Sequence, residues 1–472
     1  MSRLVLHNAR IGGDRVVDLV IENGRFAVPT DSPADEVVDL DGRVVLPGIV
    51  DHHTHLFALA ASLASIDVSP AALMRGGGLV GVLREARRRH PSGWLRAVGY
   101  DPDVSGSIDR WSLDEIGVGP VRVQDRTGAL WVLDSRALDA VLNDVFSGGF
   151  GDVLAGSDRP AGVEVLDGEA TGCLWRMDGW LRSRVPSAAH DVSAAGAMLA
   201  SWGVTTLTDA GATNGLGDLE ALAAAELPQR IIAMTADPDV EPPAGIELGP
   251  VKILLDDDRL PDLDTLGSRI EEAHRLGRRV AVHCVTPAQT VLAITAGIGS
   301  HDRIEHGFHL PDEVIDLVVK AGPTVVVSPG FVASRGDRYL AAPDLVGETG
   351  VHRLGSLLAA GLRLRAGSDA PYGPADPWCG FEAALTRRTD SGASMAPEEA
   401  VGVSEALALM WPEGVARVED AFEVGRAGDL VVCDVGREWL LSPIPQPPPI
   451  EAVVIGGTVV HGRLERLSRG FR

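Results

Sequence analysis

Eight short apolar runs, each followed by a segment of helical pattern, constrain the fold of this chain most strongly. Such alternation is typical of βα units that build a parallel sheet, and eight strands are the number that a closed barrel needs. We therefore predict an α/β fold with a (β/α)8 TIM-like barrel. The runs predicted as its strands are Ile49–His55, Gly203–Asp209, Arg230–Thr235, Val251–Leu255, Arg279–Val285, Arg303–His306, Thr324–Ser328 and Leu362–Asp369.

The two ends of the chain carry a different pattern, in which apolar and polar residues alternate around turn signals. This pattern predicts short strands within Leu4–Val45, and similar strands return at Asp429–Val432 and Ala452–Gly457. We predict that residues 1–46 and 420–472 together form a small composite β domain, a β-sandwich. Residues 47–419 would then form the barrel domain, including a long insertion at 57–202.

The insertion follows the first predicted barrel strand and is rich in tryptophan, with Trp94, Trp111, Trp131, Trp175 and Trp180 among its residues. An insertion on the C-terminal side of a barrel strand would overhang the active site. Its tryptophans could equally fill a core of its own, since aromatic side chains often serve packing alone. The sequence leaves both interpretations open.

Charge and cysteine usage exclude several classes of function. With 66 acidic and 42 basic residues the formal charge is -24, which would repel nucleic-acid phosphates and anionic lipid surfaces. The four cysteines form no Cys-x-x-Cys pair, so neither a disulfide framework nor a thiolate zinc site is indicated. No apolar run near the N-terminus reaches the ~18 residues of a membrane span. We expect an unprocessed cytoplasmic protein that binds neither nucleic acid nor membranes.

The sharpest chemical feature is the stretch Leu46–His55, where an apolar strand ends in two histidines. His53 and His55 are two residues apart, so on a strand both side chains point to one face and can reach one metal ion. His52 has the opposite parity and is expected to point away. Fully buried, unpaired histidines are uncommon, which favours a metal site over a purely structural pair.

Further candidate ligands follow later predicted strands, at His283, His306 and Asp369. Imidazole suits zinc and related divalent ions, and strand ends are where barrel enzymes place their catalytic residues. Asp369 could bind a metal and also accept a proton from the water that the metal activates. As an alternative, Asp369 could be the N-cap of a helix starting near Pro371.

Lys252 is a lone cation within the apolar run Val251–Leu255. A buried ammonium group is costly unless it has a partner, loses its proton or is chemically modified. If it were carboxylated by carbon dioxide, Lys252 would become an anionic bridge between two metal ions. Pairing with Asp256 or Asp257 is the structural alternative.

These motifs resemble the amidohydrolase superfamily, and within it the amidohydrolase 3 group that includes N-substituted formamide deformylase-like enzymes. The resemblance covers nearly the whole chain. It implies that the metal ligands are His53, His55, His283, His306 and Asp369, with a carboxylated bridging role for Lys252. The stretches that carry it are Pro47–His55, Gly203–Asp209, Val251–Ile253, Ile304–Gly307, Gly367–Pro371 and Glu423–Val432.

We therefore predict a hydrolase that cleaves a non-peptide C–N bond in a small molecule, using one or two divalent ions, with zinc the expected metal. Asp369 and His306 are the predicted catalytic residues, and Trp131, His309 and Tyr372 the predicted substrate contacts. An ester or lactone hydrolase, or a barrel that only binds its ligand, are the alternatives. The sequence leaves the substrate and any homo-oligomer open.

Overall fold

The computed structural model of the protein describes residues 3–12, 15–30, 32–142, 160–185, 191–342 and 350–465. The chain divides into two compact units. One consists of Met1–Leu56 and Val192–Arg472, and the other of Phe57–Asp191. None of the helices in these described ranges is both long and apolar enough to cross a lipid bilayer.

Eight parallel strands form a nearly closed barrel in the first unit, which confirms the predicted fold. Each strand pairs with the next one in chain order, as expected for successive βα units. We label them β1 to β8: Ile49–Thr54, Val204–Asp209, Arg230–Thr235, Ile246–Leu254, Val280–Cys284, Arg303–His306, Thr324–Val327 and Arg363–Ala366.

The largest difference from the predicted strands is at β4, which begins at Ile246 rather than Val251. Gly249 and Pro250 interrupt the apolar pattern there, so the sequence did not indicate the first half of the strand. Pairing with β3 nevertheless extends back to Ile246, which lies opposite Ile231. Tertiary pairing thus overrides the local sequence preference.

Two backbone hydrogen bonds join the ends of β1 and β8. The amide of Asp369 donates to the carbonyl of His53 at 2.7 Å, and the amide of His55 donates to the carbonyl of Ala370 at 2.9 Å. Gly367 makes this approach possible, because a Cβ atom at this position would lie 2.4 Å from the Cβ of His53. The segment that carries His53 and His55 and the segment that carries Asp369 are therefore held side by side.

The helices of this unit bury apolar stripes at helical spacing. In Leu263–Arg275, for example, Leu266, Ile270 and Ala273 are buried, and Asp262 caps the first turn by accepting from the amide of Thr265 at 2.8 Å. The helices are Val192–Ser201, Leu216–Ala224, Leu263–Arg275, Pro287–Thr295, Asp312–Ala321, Gly330–Ala341, Leu354–Ala359, Pro377–Thr386, Val403–Ala408 and Arg437–Leu441, with 3-10 turns at Asp257–Arg259, Pro397–Glu399 and Val418–Phe422.

Strands from both ends of the chain share one mixed eight-stranded sheet. The join is an antiparallel pair in which Leu430–Cys433 lies against Val44–Pro47. Both strands are fully buried, in keeping with their continuous apolar sequences. The two ends of the chain therefore belong to one shared sheet. Its strands are Arg3–Arg10, Val16–Glu22, Arg25–Ala27, Glu36–Asp39, Val44–Pro47, Leu430–Cys433, Ile450–Ile455 and Thr458–Gly462.

The second unit has a six-stranded sheet of its own, with an apolar cluster that includes Leu95, Val121 and Val132 and another that includes Trp131 and Leu133. Its strands are Ile66–Asp67, Leu95–Tyr100, Val121–Asp125, Leu130–Leu133, Val163–Leu166 and Glu169–Trp175. Its helices are Pro70–Gly76, Gly78–Arg89, Pro102–Ser105, Arg110–Ile116, Ser135–Leu142 and Asp178–Arg182, and the helix Leu56–Leu63 leads into it.

Candidate metal centre

The two histidines at the end of β1 turn their rings to the same side, as the His-x-His spacing predicts. Their ring centroids are 5.3 Å apart. The ring of His52 points elsewhere: its Nε2 lies 2.9 Å from the carbonyl oxygen of Trp411. Burial and the nearby Lys252 lower the pKa of His53 to about 4, so the ring is neutral at pH 7 and keeps a lone pair for a metal ion.

Asp369 faces this histidine pair. Its Oδ1 lies 3.2 Å from Nε2 of His55 and 3.6 Å from Nε2 of His53. Burial alone would raise the pKa of Asp369, but the hydrogen bond with His55 and the neighbouring imidazoles hold it below its ordinary value. The N-cap alternative for Asp369 is wrong, because the following helix begins at Pro377 and is capped by Asp376.

His306 and His283 lie beside the same group. The ring of His306 is 4.8 Å from that of His53 and 4.6 Å from that of His283, measured between centroids. His306 has a φ of +74°, a left-handed conformation that breaks the side-chain alternation of β6. Burial lowers the pKa of both rings, that of His283 to about 3, so both are neutral nitrogen donors at pH 7.

Lys252 on β4 is 2% exposed, and burial lowers the pKa of its amine. Within the described ranges its Nζ has no hydrogen-bond partner. The predicted alternative, pairing with Asp256 or Asp257, is therefore wrong. Asp257 accepts instead from the hydroxyl of Thr286 at 3.0 Å.

The side chains present suit a divalent cation. One ligand atom each from His53, His55 and Asp369 lies within 4.8 Å of the others. In addition, Nε2 of His53 is buried without a hydrogen-bond partner among the described residues, an arrangement that costs about 1–3 kcal/mol unless something fills it. A cation would accept that lone pair, and neutral imidazoles with one carboxylate are ligands that zinc binds well.

The sequence-based interpretation missed the residues that hold these ligands. Glu305 accepts a short hydrogen bond from Nδ1 of His53 and is fully buried. Asp51 accepts from the amide of Ser368 at 2.9 Å and from its hydroxyl at 2.6 Å, and also from the amide of His53 at 3.2 Å. The only signal in the sequence was that both carboxylates lie in strands otherwise expected to be buried.

The three predicted substrate contacts lie in different surroundings. Tyr372 follows β8, and its ring is 5.5 Å from that of His55. His309 follows β6 and is half-buried, and this burial lowers its pKa. Trp131 lies in the second unit, where it is 3% exposed and donates from Nε1 to Asp178 at 2.8 Å. The substrate-binding role of all three stays a prediction.

Comparison with known proteins agrees with this geometry. A model described as "Amidohydrolase family" matches residues 36–463. The chain belongs to the amidohydrolase family. The protein YtcJ of Bacillus subtilis (strain 168) is 27% identical over 95% of this chain and 96% of its own length. An N-substituted formamide deformylase of Arthrobacter pascens is 25% identical over 92% of this chain and 94% of its own.

Solved structures support the fold of this amidohydrolase. A metal-dependent hydrolase from Pyrococcus horikoshii OT3 superposes with a TM-score of 0.71 at 21% identity, covering 94% of this chain and 99% of the other. A second, from Pyrococcus furiosus, has a TM-score of 0.67 at 22% identity over 92% and 99%. Together with the family match, the His-His-Asp cluster makes the protein a metal-dependent hydrolase of the amidohydrolase superfamily.

The burial of Trp131 leads to a prediction that separates packing from substrate binding. Trp131→Ala should destabilise the second unit by about 3–5 kcal/mol, because a large buried ring is lost. Thermal melting would measure this, with Trp175→Ala as the control, since Trp175 is 47% exposed and its loss should cost little. A Trp131→Ala protein with unchanged melting and a changed substrate preference would instead assign the residue to substrate binding.

Proposed function

We propose that this amidohydrolase cleaves a non-peptide C–N bond in a small-molecule amide, formamide or cyclic amide, with zinc as its metal. The observation that carries the proposal is the convergence of His53, His55 and Asp369 at one end of the barrel. The N-substituted formamide deformylase among its relatives supports a C–N bond of this kind.

A divalent ion held by these ligands would supply Lewis acidity, which polarises a carbonyl group and acidifies water. Asp369 is the proton carrier: its carboxylate accepts a proton from the attacking water and passes it to the departing nitrogen. One C–O bond forms, one C–N bond breaks, and the proton ends on the amine. His306, whose Nδ1 lies 3.9 Å from Oδ2 of Asp369, is the second residue that we assign to the reacting centre. Tyr372 and His309 would contact the substrate beside it.

We assign a carboxylated state to Lys252. A protonated amine this close to the ligand cluster would repel a cation, and its Nζ has no partner in the described ranges. Reaction of the neutral amine with carbon dioxide forms an N–C bond and releases one proton. The resulting carbamate is an anion, able to bridge two metal ions where the amine could not.

The composition of the chain makes this state easy to test. Lys252 is one of only two lysines, and the other, Lys320, is exposed on the helix Asp312–Ala321. Protein equilibrated with 13C-bicarbonate should show one slowly exchanging carbamate carbon signal. That signal should persist in Lys320→Arg and vanish in Lys252→Ala.

Lys252→Ala should also lower the metal content from two ions per chain towards one, and short carboxylic acids should restore part of the turnover. Metal analysis, melting temperature and turnover should be measured together. If the variant keeps both metal ions but has a lower melting temperature, Lys252 is a structural cation and the proposed bridging role is refuted.

The function itself is tested by metal analysis of purified protein and by a panel of amides, formamides and cyclic amides assayed beside matched esters and lactones. We expect stoichiometric divalent metal and faster cleavage of the nitrogen compounds. Faster cleavage of the esters or lactones would refute the proposed C–N bond specificity and make the protein an ester or lactone hydrolase. A metal-free protein that binds the panel without cleaving it would make the barrel a binding protein.

A further inference from the structure

Behind the proposed metal ligands lies a buried chain of hydrogen bonds from Arg303 through Glu305 to His53. Their exposed fractions are 4%, 0% and 1%, respectively. Nε of Arg303 donates to Oε1 of Glu305 at 2.8 Å, and its Nη2 lies 3.3 Å from Oε2. Oε2 is also the oxygen that meets Nδ1 of His53. The three side chains thus form one connected network.

The direction of these hydrogen bonds follows from the chemistry of the groups. A guanidinium group has only donors, and an ionised carboxylate has only acceptors. Glu305 must therefore accept from both neighbours, which puts the ring proton of His53 on Nδ1. In a neutral ring this leaves the lone pair on Nε2, the buried atom that lies 3.6 Å from Asp369.

Arg303 also fixes the strand that carries the ligand. Its Nη2 donates to the backbone carbonyl of His52 at 2.6 Å. One side chain therefore orients the carboxylate that holds the His53 ring and anchors the backbone next to that ring. Partners of this kind are known to tune the affinity of metal-binding histidines.

We propose that Arg303, acting through Glu305, sets the tautomer of His53 so that Nε2 faces the metal. Both are positioning residues, and this inference rests on the metal centre of the proposed function. The key feature is that Arg303 donates to both carboxylate oxygens of Glu305, so both oxygens have to act as acceptors.

The variant Glu305→Gln tests this, because an amide offers one acceptor and one donor group. If its oxygen faces Arg303, its NH2 group meets Nδ1 of His53, which must then accept, and the ring proton moves to Nε2. In the opposite orientation the NH2 group meets the guanidinium of Arg303, so that two hydrogen-bond donors face each other. We expect Glu305→Gln to weaken metal binding by about 10–100-fold.

A double-mutant cycle distinguishes the proposed mechanism from a general loss of structure. In an Arg303→Met background the side-chain amide introduced by Glu305→Gln is free to turn its oxygen towards His53, so this substitution should then have little further effect on metal affinity. Metal affinity would be measured by competition with a chelating dye on the metal-free proteins. Equal losses in both backgrounds would overturn the role of Arg303.

A matched control is Glu399→Gln, since Glu399 is a buried glutamate (6% exposed) that accepts hydrogen bonds from the amide and hydroxyl of Ser356, which is not a candidate ligand. It should leave metal affinity unchanged. If Glu305→Gln does not fold, 15N NMR of histidine-labelled, metal-free wild-type protein still decides the matter. The His53 signals, identified by their loss in His53→Gln, should show a protonated Nδ1 and an unprotonated Nε2.

Failure of this inference and failure of the proposed function give different results. A wild-type protein that binds no divalent metal would remove the metal centre itself. If the wild-type protein binds metal and Glu305→Gln binds it equally well, only the positioning role is overturned. The same holds if the wild-type protein binds metal but the NMR spectrum of its metal-free form shows a protonated Nε2 on His53.

Discussion

Replacement of His55 by alanine is expected to leave the purified protein without stoichiometric metal and without measurable hydrolysis. His55 and His53 extend from one strand and reach the same side as Asp369, with ligand atoms within 4.8 Å of one another. Losing one of two ligands from a rigid strand removes a donor that the later strands cannot replace. His53→Ala should have the same effect on metal content and should also destabilise the protein, because it removes one of the two hydrogen-bond partners of the buried Glu305.

The control for this prediction is the histidine next to His53 in sequence. His52 is buried and bound to the carbonyl of Trp411, so His52→Ala should lower the melting temperature while metal content is retained. Elemental analysis and turnover of the three variants would be compared. Full metal occupancy in His55→Ala would show that His55 is not a metal ligand.

The barrel and the candidate ligands could be predicted because both depend on local sequence patterns. Apolar runs with β-branched residues mark each strand, and a histidine or aspartate directly after such a run must lie at the end of the barrel. The pair His53 and His55 needed only the two-residue period of a strand. Lys252 was noticed as a lone cation in an apolar run, and the resemblance to a known family also implied its bridging role, which stays a prediction.

Residues that act through a partner on another strand could not be predicted in this way. Glu305 looked like a neighbour of His306, but its function depends on Nδ1 of His53, 252 positions away. Likewise, Asp51 holds the loop of Asp369 through Ser368, 317 positions away. Nothing in a single sequence fixes such pairings, since they depend on how the barrel closes.

Backbone conformation was the second kind of information that the sequence lacked. His306 and Asp369 have positive φ values of 74° and 53°, which are uncommon for residues other than glycine. An alternating strand would turn His306 away from the barrel interior that its neighbour Glu305 faces. The left-handed conformation instead brings its ring next to His53 and His283, and strained residues of this kind are often found at active sites.

Asp369→Asn is expected to reduce turnover by about 10²–10⁴-fold while the fold and most of the metal are retained. Asparagine keeps the shape of the side chain and one oxygen towards His55 and His53, but it cannot accept the proton of the attacking water. The loss should therefore appear in kcat more than in KM. Weaker metal binding in the variant would add to the loss of turnover. Turnover should therefore be expressed per bound metal ion.

A buried aspartate outside the centre separates this effect from the general cost of losing a carboxylate. Asp302 is 2% exposed and accepts from the amides of Val280 and Gly299, both at 2.9 Å. Asp302→Asn should lower the melting temperature, because one of those amides loses its acceptor, while turnover per folded molecule stays close to that of the wild type. If Asp369→Asn turned over substrate as fast as Asp302→Asn, Asp369 would be a ligand only. The proton would then have to be carried by another group, and His306, whose Nδ1 lies 3.9 Å from Oδ2 of Asp369, is the candidate that we would test next.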